Sequence, residues 1–117
     1  MSLELATLTV DARDPAALAT WWQQVLGGEV DGSEAPDEVV LELPGAAPIL
    51  FNMERTPKTV KNRLHFDLRP DDRNAEVERL LLLGAVKVDI GQAGAANVTW
   101  VVLADPEGNE FCVLRGR

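Results

Sequence analysis

Cysteine and basic side chains are scarce in this chain of 117 residues, and each scarcity excludes a class of protein. The one cysteine, Cys112, has no partner for an intrachain disulfide, which favours a reducing compartment. Lys and Arg number 11 against 19 Asp and Glu, so the net charge is −8 at pH 7 and no basic face for a nucleic acid is expected. No apolar run approaches the ~20 residues of a membrane span, and residues 3–10 are too short for a secretory signal. We therefore expect a cytoplasmic protein with neither a nucleic-acid nor a membrane partner.

Two amphipathic helices are predicted, and each begins at an aspartate and ends at a glycine. Asp14 is a favourable N-cap, and Pro15 suits the first helical position because its missing N–H would have no partner there. Gly27 ends this helix. A second helix is predicted from Asp71 to the residue before Gly84. The apolar stripe of the first helix, which includes two tryptophans expected in the core, consists of Leu18, Trp21, Trp22, Val25 and Leu26.

The order strand, helix, strands occurs twice along the chain. The helix-ending glycines, Gly27 and Gly84, are 84 − 27 = 57 residues apart, which indicates a duplicated module rather than a solenoid. One helix covers one face of each sheet, so a curved antiparallel or mixed sheet with a concave cleft is expected. The prediction is an α+β fold in a single domain, 1–117, with modules at about 3–56 and 62–116. The predicted strands are 5–10, 39–43, 48–53, 64–68, 86–90, 98–104 and 110–114.

Three segments together resemble the glyoxalase-like branch of the vicinal oxygen chelate superfamily. They are Asp14-Pro15 through Leu26-Gly27, the strand Lys61–Leu68, and the turn and strand Asp105–Leu114. The resemblance extends over nearly the whole chain and implies two tandem βαβββ modules. The superfamily includes glyoxalase I, ring-cleaving dioxygenases, fosfomycin-resistance transferases, epimerases and bleomycin-binding proteins that use no metal.

In metal-using members, the resemblance implies His or Glu ligands on the first and last strands of both modules. His65 matches one of these positions, and Thr7 occupies its counterpart in the first module. Cys112 stands where a Glu is usual, and the fourth position falls near Leu50 or Asn52. A divalent cation favours hard oxygen and nitrogen donors for Lewis-acid work, so the ligand set is incomplete. The cofactor is left open, with a divalent metal as one alternative and His65 as its clearest ligand.

His65 and Glu110 are the candidate catalytic residues. Strand alternation places His65 and Asp67 on one face, opposite Phe66, and places Glu110 on the same face as Cys112. On the functional interpretation His65 is a general base, a ligand-binding group or a metal donor, with Glu110 assisting. The alternative is a satisfied polar residue in a sheet, with Asp67 as its hydrogen-bond partner.

Further ligand-binding residues are expected around the cleft. Trp100 is a candidate stacking surface, with the core as the alternative. Arg63 belongs to a cationic cluster, Arg55 to Arg63, that suits a carboxylate or phosphate, with a solvated connector as the alternative. The full predicted set of ligand-binding residues is Thr7, Asn52, Arg63, His65, Asp67, Trp100 and Cys112.

The predicted function is the binding of a small organic molecule in the cleft around His65. Isomerase, lyase or oxygenase chemistry on an oxygenated or carbonyl compound is one hypothesis. The other is sequestration of a drug-like or metabolite molecule without chemistry, as in the bleomycin-resistance proteins. The resemblance also implies a homodimer, because members of the superfamily often build or complete the cleft between chains.

Overall fold

The computed structural model describes residues 3–32, 37–88 and 100–116; at Trp100 it describes the backbone only. The chain divides into two compact units, Met1–Pro57 and Lys58–Arg117. Within the described ranges, no helix is both long enough and apolar enough to cross a bilayer.

The first unit is a four-stranded mixed sheet with one helix. Its elements are β1 (Leu8–Ala12), α1 (Pro15–Leu26), β2 (Glu29–Asp31), β3 (Glu38–Glu42) and β4 (Ile49–Met53). The strand order is β1-β4-β3-β2, with β1 and β4 parallel and the other pairs antiparallel. The chain therefore crosses over through α1 and closes its sheet by pairing the first strand with the last.

The core of the first unit lies between α1 and the sheet. The Asp14 side chain accepts a hydrogen bond from the Ala17 N–H at 3.1 Å, which satisfies one of the unpaired donors at the helix start. Trp22 is 2% exposed, and Leu41 and Phe51 are fully buried. The prediction that Trp21 and Trp22 belong to the core is confirmed, and their rings meet edge to face at 5.1 Å.

The second unit repeats this arrangement. Its elements are β5 (Phe66–Leu68), α2 (Arg73–Leu82), β6 (Val86–Lys87), β7 (Trp100–Ala104) and β8 (Glu110–Leu114). The strand order is β5-β8-β7-β6, and β5 is parallel to β8. The predicted α+β fold of two tandem βαβββ modules is confirmed. The cleft stays a prediction.

Two predicted boundaries at the start of the modules are wrong. The strand predicted over residues 5–10 begins at Leu8 and continues to Ala12, because its parallel partner β4 begins at Ile49. The second helix is capped by Asp72 rather than Asp71, since the Asp72 carboxylate accepts from the N–H of Ala75 at 3.2 Å. The two caps are thus 72 − 14 = 58 residues apart. The short strand β2 was not predicted.

The strands of the second unit also differ from their predicted bounds. β5 begins at Phe66 rather than at residue 64, because the side chain of Asn62 bonds to the peptide groups of Glu110 beside it. β6 is confined to Val86–Lys87 in the described part of the chain. Residues 89–90 and 98–99 of the predicted strands lie outside the described residues.

Candidate functional site

Three side chains with metal-ligating atoms converge in the second unit. His65 directly precedes β5, Asp67 lies at the centre of β5, and Cys112 lies on β8. Asp67 and Cys112 are register partners in the parallel ladder, so their side chains lie on one face of the sheet. One donor atom from each of the three residues lies within 4.8 Å of the others. We call these three residues the donor cluster.

The members of the donor cluster differ in exposure. The His65 Nε2 lies 3.2 Å from the Asp67 Oδ1, and these side chains are 49% and 52% exposed. Cys112 is 9% exposed and therefore forms the floor of the cluster. The imidazole therefore faces both solvent and a neighbouring carboxylate.

The electrostatics around Cys112 oppose formation of the thiolate. Burial is the main reason that the pKa of the thiol is raised, followed by the negative charge and hydrogen bond of Asp67; Glu110 adds to this effect and Lys61 opposes it. In the absence of a cation, the thiol is therefore protonated at neutral pH. A cation held by the same three residues would reverse this preference, because it stabilises the thiolate directly.

A buried aspartate builds the turn that leads into β8. Asp105 is 3% exposed, and its Oδ1 accepts hydrogen bonds from the backbone N–H groups of Glu107 and Asn109, both at 2.9 Å. The side-chain amide of Asn109 donates to the same carboxylate at 3.0 Å. Gly108 takes φ +86, which a glycine adopts without strain. This turn fixes the start of β8 and hence the positions of Glu110 and Cys112.

A side-chain amide holds the segment before β5 against β8. The Asn62 Oδ1 accepts from the N–H of Glu110 at 3.1 Å, and its Nδ2 faces the carbonyl of Glu110 at 3.4 Å and also donates to the carbonyl of Leu64. The neighbouring Lys61 donates to the Glu110 carboxylate at 3.2 Å. Asn62 thus substitutes for a strand backbone and places Lys61 and His65 beside β8.

A pocket of about 340 Å³ opens over the donor cluster. Lys61 and Glu110 form its polar rim together with the cluster, and Val102, Phe111 and Leu114 supply apolar walls. Its size and its combination of apolar walls with a few polar groups are typical of small-molecule sites.

The structure brings four of the predicted site residues together in the second unit. His65, Asp67, Glu110 and Cys112 all line the pocket, whereas the exposed Arg63 does not line it. Trp100 begins β7, but its side chain lies outside the described part of the structure. Two further predicted residues belong to the first unit: the exposed Thr7 just before β1, and the half-buried Asn52 on β4.

The chemistry of the donor cluster fits a zinc-type cation better than a hard cation. Imidazole nitrogen, carboxylate oxygen and thiolate sulfur together are the ligands of zinc sites, and three protein ligands leave a fourth position for a substrate or water. Magnesium, calcium and manganese favour oxygen donors instead. The duplication places the remaining ligand position of the family pattern near Leu50 or Asn52. In the first unit Thr9 pairs with Leu50, and the equivalent pair in the second unit is Asp67 with Cys112. The register therefore selects Leu50.

The sequence prediction missed Asp67 as a candidate metal ligand. Its position two residues after His65 predicts a hydrogen-bond partner or a ligand-binding group. The signal that identifies it as a third donor is the parallel register with Cys112, which comes from a strand 45 residues further along the chain (112 − 67 = 45). Pairing between distant strands is not visible in local periodicity.

The chain is thus an α+β protein of two βαβββ units, the second of which carries a pocket over mixed nitrogen, oxygen and sulfur donors. A profile of the glyoxalase-like domain matches residues 7–114, and the chain belongs to that family. A comparison with curated proteins finds no match.

Solved structures with the same fold include proteins described as enzymes. A glyoxalase/bleomycin resistance protein/dioxygenase family enzyme from Burkholderia phytofirmans PsJN is 22% identical, with a TM-score of 0.74 over 97% of this chain and 98% of that one. A mutant fosfomycin resistance protein from Listeria monocytogenes, complexed with Mn(II) and a dihydroxypropylphosphonic acid, is 17% identical, with a TM-score of 0.72 over 100% and 93%. The trypanothione-dependent glyoxalase I of Leishmania major is 16% identical, with a TM-score of 0.67 over 97% and 87%. At these identities the likeness establishes the fold.

Proposed function

We propose that the second unit binds a divalent cation of the zinc type through His65, Asp67 and Cys112, and with it a small oxygenated organic molecule. The observation that carries this proposal is the convergence of the three donor atoms within 4.8 Å. Zinc–ligand distances of about 2.0–2.3 Å require donors at roughly this separation or slightly closer, which small side-chain rotations provide. The pocket of about 340 Å³ above the cluster supplies the space for the organic molecule.

The chain's own residues would divide the chemistry between them. When bound, a zinc ion supplies Lewis acidity that polarises a carbonyl or hydroxyl oxygen of the ligand. Glu110 is positioned to take or return a proton: its side chain is 14% exposed at the pocket rim, and Lys61 orients it by holding its Oε1. The apolar walls would contact the apolar part of the ligand.

This arrangement supports isomerase or lyase chemistry on a carbonyl or otherwise oxygenated compound, whereas oxygenase chemistry would need a redox-active cation in place of zinc. Relatives of the same fold carry descriptions of such enzymes, among them a glyoxalase I and a dioxygenase family enzyme. Asp67 strengthens the enzyme hypothesis over plain sequestration, because a sequestering site needs no converging donors.

Metal binding is testable without knowledge of the substrate. Protein purified without a histidine tag and stripped with chelator is titrated with Co²⁺, which reports thiolate ligation through a charge-transfer band, and then with Zn²⁺ in competition. We expect one cation per chain, a cobalt–thiolate band, and loss of that band in Cys112→Ser. Glu110→Gln retains all three donors and serves as the matched control, with its band unchanged.

Two results would contradict the proposed metal site. If no stoichiometric cation binds, or if the Cys112→Ser protein binds as tightly as the wild type, the donor cluster is not a metal site. Saturable quenching of tryptophan fluorescence by bleomycin in the metal-free protein, without turnover, would then favour the sequestering function.

The homodimer and the cytoplasmic location belong to the same proposal and follow from the family resemblance and the lone cysteine. A sedimentation-velocity experiment at micromolar concentration should give a single dimeric species. A monomer under those conditions would contradict the expected assembly.

A further inference from the structure

A second pocket of the same unit lies against the segment that leads into β5. It has a volume of about 590 Å³ and is lined on one side by Lys58, Thr59, Val60 and Lys61. The opposite side is formed by residues of β7, the following turn and β8, among them Gly108 and Glu110. Because Lys61 and Glu110 also line the pocket over the donor cluster, the two pockets are contiguous. We call this second space the lysine pocket.

The lysine pocket concentrates positive charge in an acidic chain. Lys58 and Lys61 are two of only three lysines in a protein with a net charge of −8. Each ammonium group carries three N–H donors. Lys61 uses one of them on the Glu110 carboxylate, and Lys58 uses one on the carbonyl of Val60. Each lysine therefore retains donor capacity for an oxyanion.

The contact between Lys61 and Glu110 is the kind that a ligand can displace. The Lys61 side chain is 72% exposed, and ion pairs with an exposed partner are worth little because water screens them. Asn62 holds the backbone of Glu110, so the position of this residue on β8 does not depend on its contact with Lys61. The carboxylate of Glu110 would thus compete with a bound anion for Lys61.

We infer that the lysine pocket binds the oxyanion group, a carboxylate or a phosphate, of a small organic anion. The oxygenated end of the same molecule would lie at the donor cluster, a placement that rests on the proposed function. The two pockets are adjacent, so one molecule can reach both. Lys58 and Lys61 act as charge-assisted hydrogen-bond donors to the anion, and Glu110 separates the anionic end from the reacting end. The substrate class is thereby narrowed from any oxygenated compound to an organic acid or phosphate ester.

The subsite is testable in the metal-free protein, so that failure of metal binding does not enter the result. The ¹⁵N-labelled protein is titrated at low ionic strength with inorganic phosphate and, separately, with malonate, and the amide resonances are followed by NMR. We expect saturable shifts confined to residues 58–62 and 108–110 with at least one of the two anions. The anion that binds more tightly identifies the phosphate or the carboxylate as the source.

Substitutions distinguish a specific anion subsite from nonspecific attraction of the anion to any lysine side chain. Lys61→Gln should weaken binding about tenfold, as expected for the loss of one charge-assisted hydrogen bond. Lys58→Gln tests the same claim at an independent position. Lys87→Gln makes the same charge change on the exposed strand β6, outside the pocket lining, and should leave affinity unchanged. Glu110→Gln removes the competing carboxylate and should tighten binding several-fold.

Two results would overturn the inference: no localised shifts with either anion, or equal weakening by all three lysine substitutions. A final titration repeats the malonate experiment with Zn²⁺ present. Tighter malonate binding with zinc supports the claim that one ligand occupies both pockets. Unchanged binding contradicts that claim but not the claim that the lysine pocket binds an anion.

Discussion

The two units of this protein share a backbone plan and differ in what they present on the sheet. In both, a first strand pairs in parallel with a last strand, and an aspartate caps the helix between them. In the second unit the paired positions hold Asp67 and Cys112, whereas in the first unit the same pairing joins Thr9 and Leu50. Duplication therefore accounts for the fold, and substitution at a few paired positions accounts for the candidate chemistry.

The turns that lead into the last strands differ in the same way. The first unit enters β4 through Pro44-Gly45, with a single backbone bond from the Ala46 N–H to the Leu43 carbonyl at 3.2 Å. The second unit enters β8 through the buried Asp105, which accepts several hydrogen bonds. The unit with the donor cluster is also the one whose last strand has the stronger polar anchor, as a preorganised site requires.

The largest expected difference between the units is in metal affinity. His65→Ala removes a ligand and should weaken Zn²⁺ binding by about 100-fold or more, since loss of an outer-shell partner alone has effects of up to about that size. Thr7→Ala alters the equivalent position of the first unit and should leave affinity unchanged. Isothermal titration of both metal-stripped variants makes the measurement. Equal losses of zinc affinity in the two variants would show that the second unit does not hold the cation through His65.

The anchoring turn should show the next largest effect. Asp105→Ala leaves the N–H groups of Glu107 and Asn109 without their charged acceptor, and should lower the free energy of unfolding by about 2 kcal/mol. Pro44→Ala in the corresponding turn of the first unit should cost less than about 1 kcal/mol. Urea denaturation followed by tryptophan fluorescence compares them. A smaller loss for Asp105→Ala than for Pro44→Ala would contradict the assigned role of the carboxylate.

The reactivity of Cys112 tests the electrostatics of the site. Burial and Asp67 raise the pKa of the thiol, so alkylation of the metal-free protein should accelerate about tenfold per pH unit, and continue to accelerate above the pH at which an ordinary cysteine levels off. Asp67→Asn should bring this plateau to lower pH. Mass spectrometry after iodoacetamide pulses gives the rates. A plateau at or below that of free cysteine would refute the raised pKa.

The raised pKa of Cys112 also makes the free energy of unfolding depend on pH. The folded state holds the thiol proton more tightly than the unfolded chain does. The contribution of this thiol to the free energy of unfolding is therefore fully present below the pKa that the thiol has in the unfolded chain. It is lost as pH rises from there toward the folded pKa.

The smallest expected effects are equal in the two units and test the shared backbone plan. Asp14→Ala and Asp72→Ala each remove a side-chain acceptor at a helix start, and each should lower the free energy of unfolding by about 1 kcal/mol. The measurement is again urea denaturation. A loss confined to one cap would show that the helices are not equivalent.

Most of the fold follows from local patterns in the sequence. The caps, the apolar stripe containing Trp21 and Trp22, and the spacing of Gly27 and Gly84 predicted a duplicated module of strand, helix and strands, because helix periodicity and turn chemistry are written in adjacent residues. The family resemblance specified this module as βαβββ. The boundary errors at Leu8 and at Asp72 arise where long-range pairing or cap geometry selects among several competent residues.

The site was only partly predictable, for the same physical reason. The family resemblance pointed to His65 and Cys112, and strand alternation added Glu110, but Asp67 as a third donor required the register between β5 and β8. The cationic residues from 55 to 63 were recognised as a cluster, yet only Lys58 and Lys61 line the pocket beside Glu110, a contact across 110 − 61 = 49 residues. Contacts at that separation depend on the tertiary fold.

X-ray absorption spectroscopy at the zinc edge identifies the ligands of the cation, because the chain contains one histidine and one cysteine and each scatterer is therefore assigned without ambiguity. For the zinc-loaded protein we expect one sulfur neighbour at about 2.3 Å, one imidazole at about 2.0 Å, and oxygen neighbours completing the shell. A shell of nitrogen and oxygen without sulfur, or zinc that dialyses away, would contradict the proposed metal site.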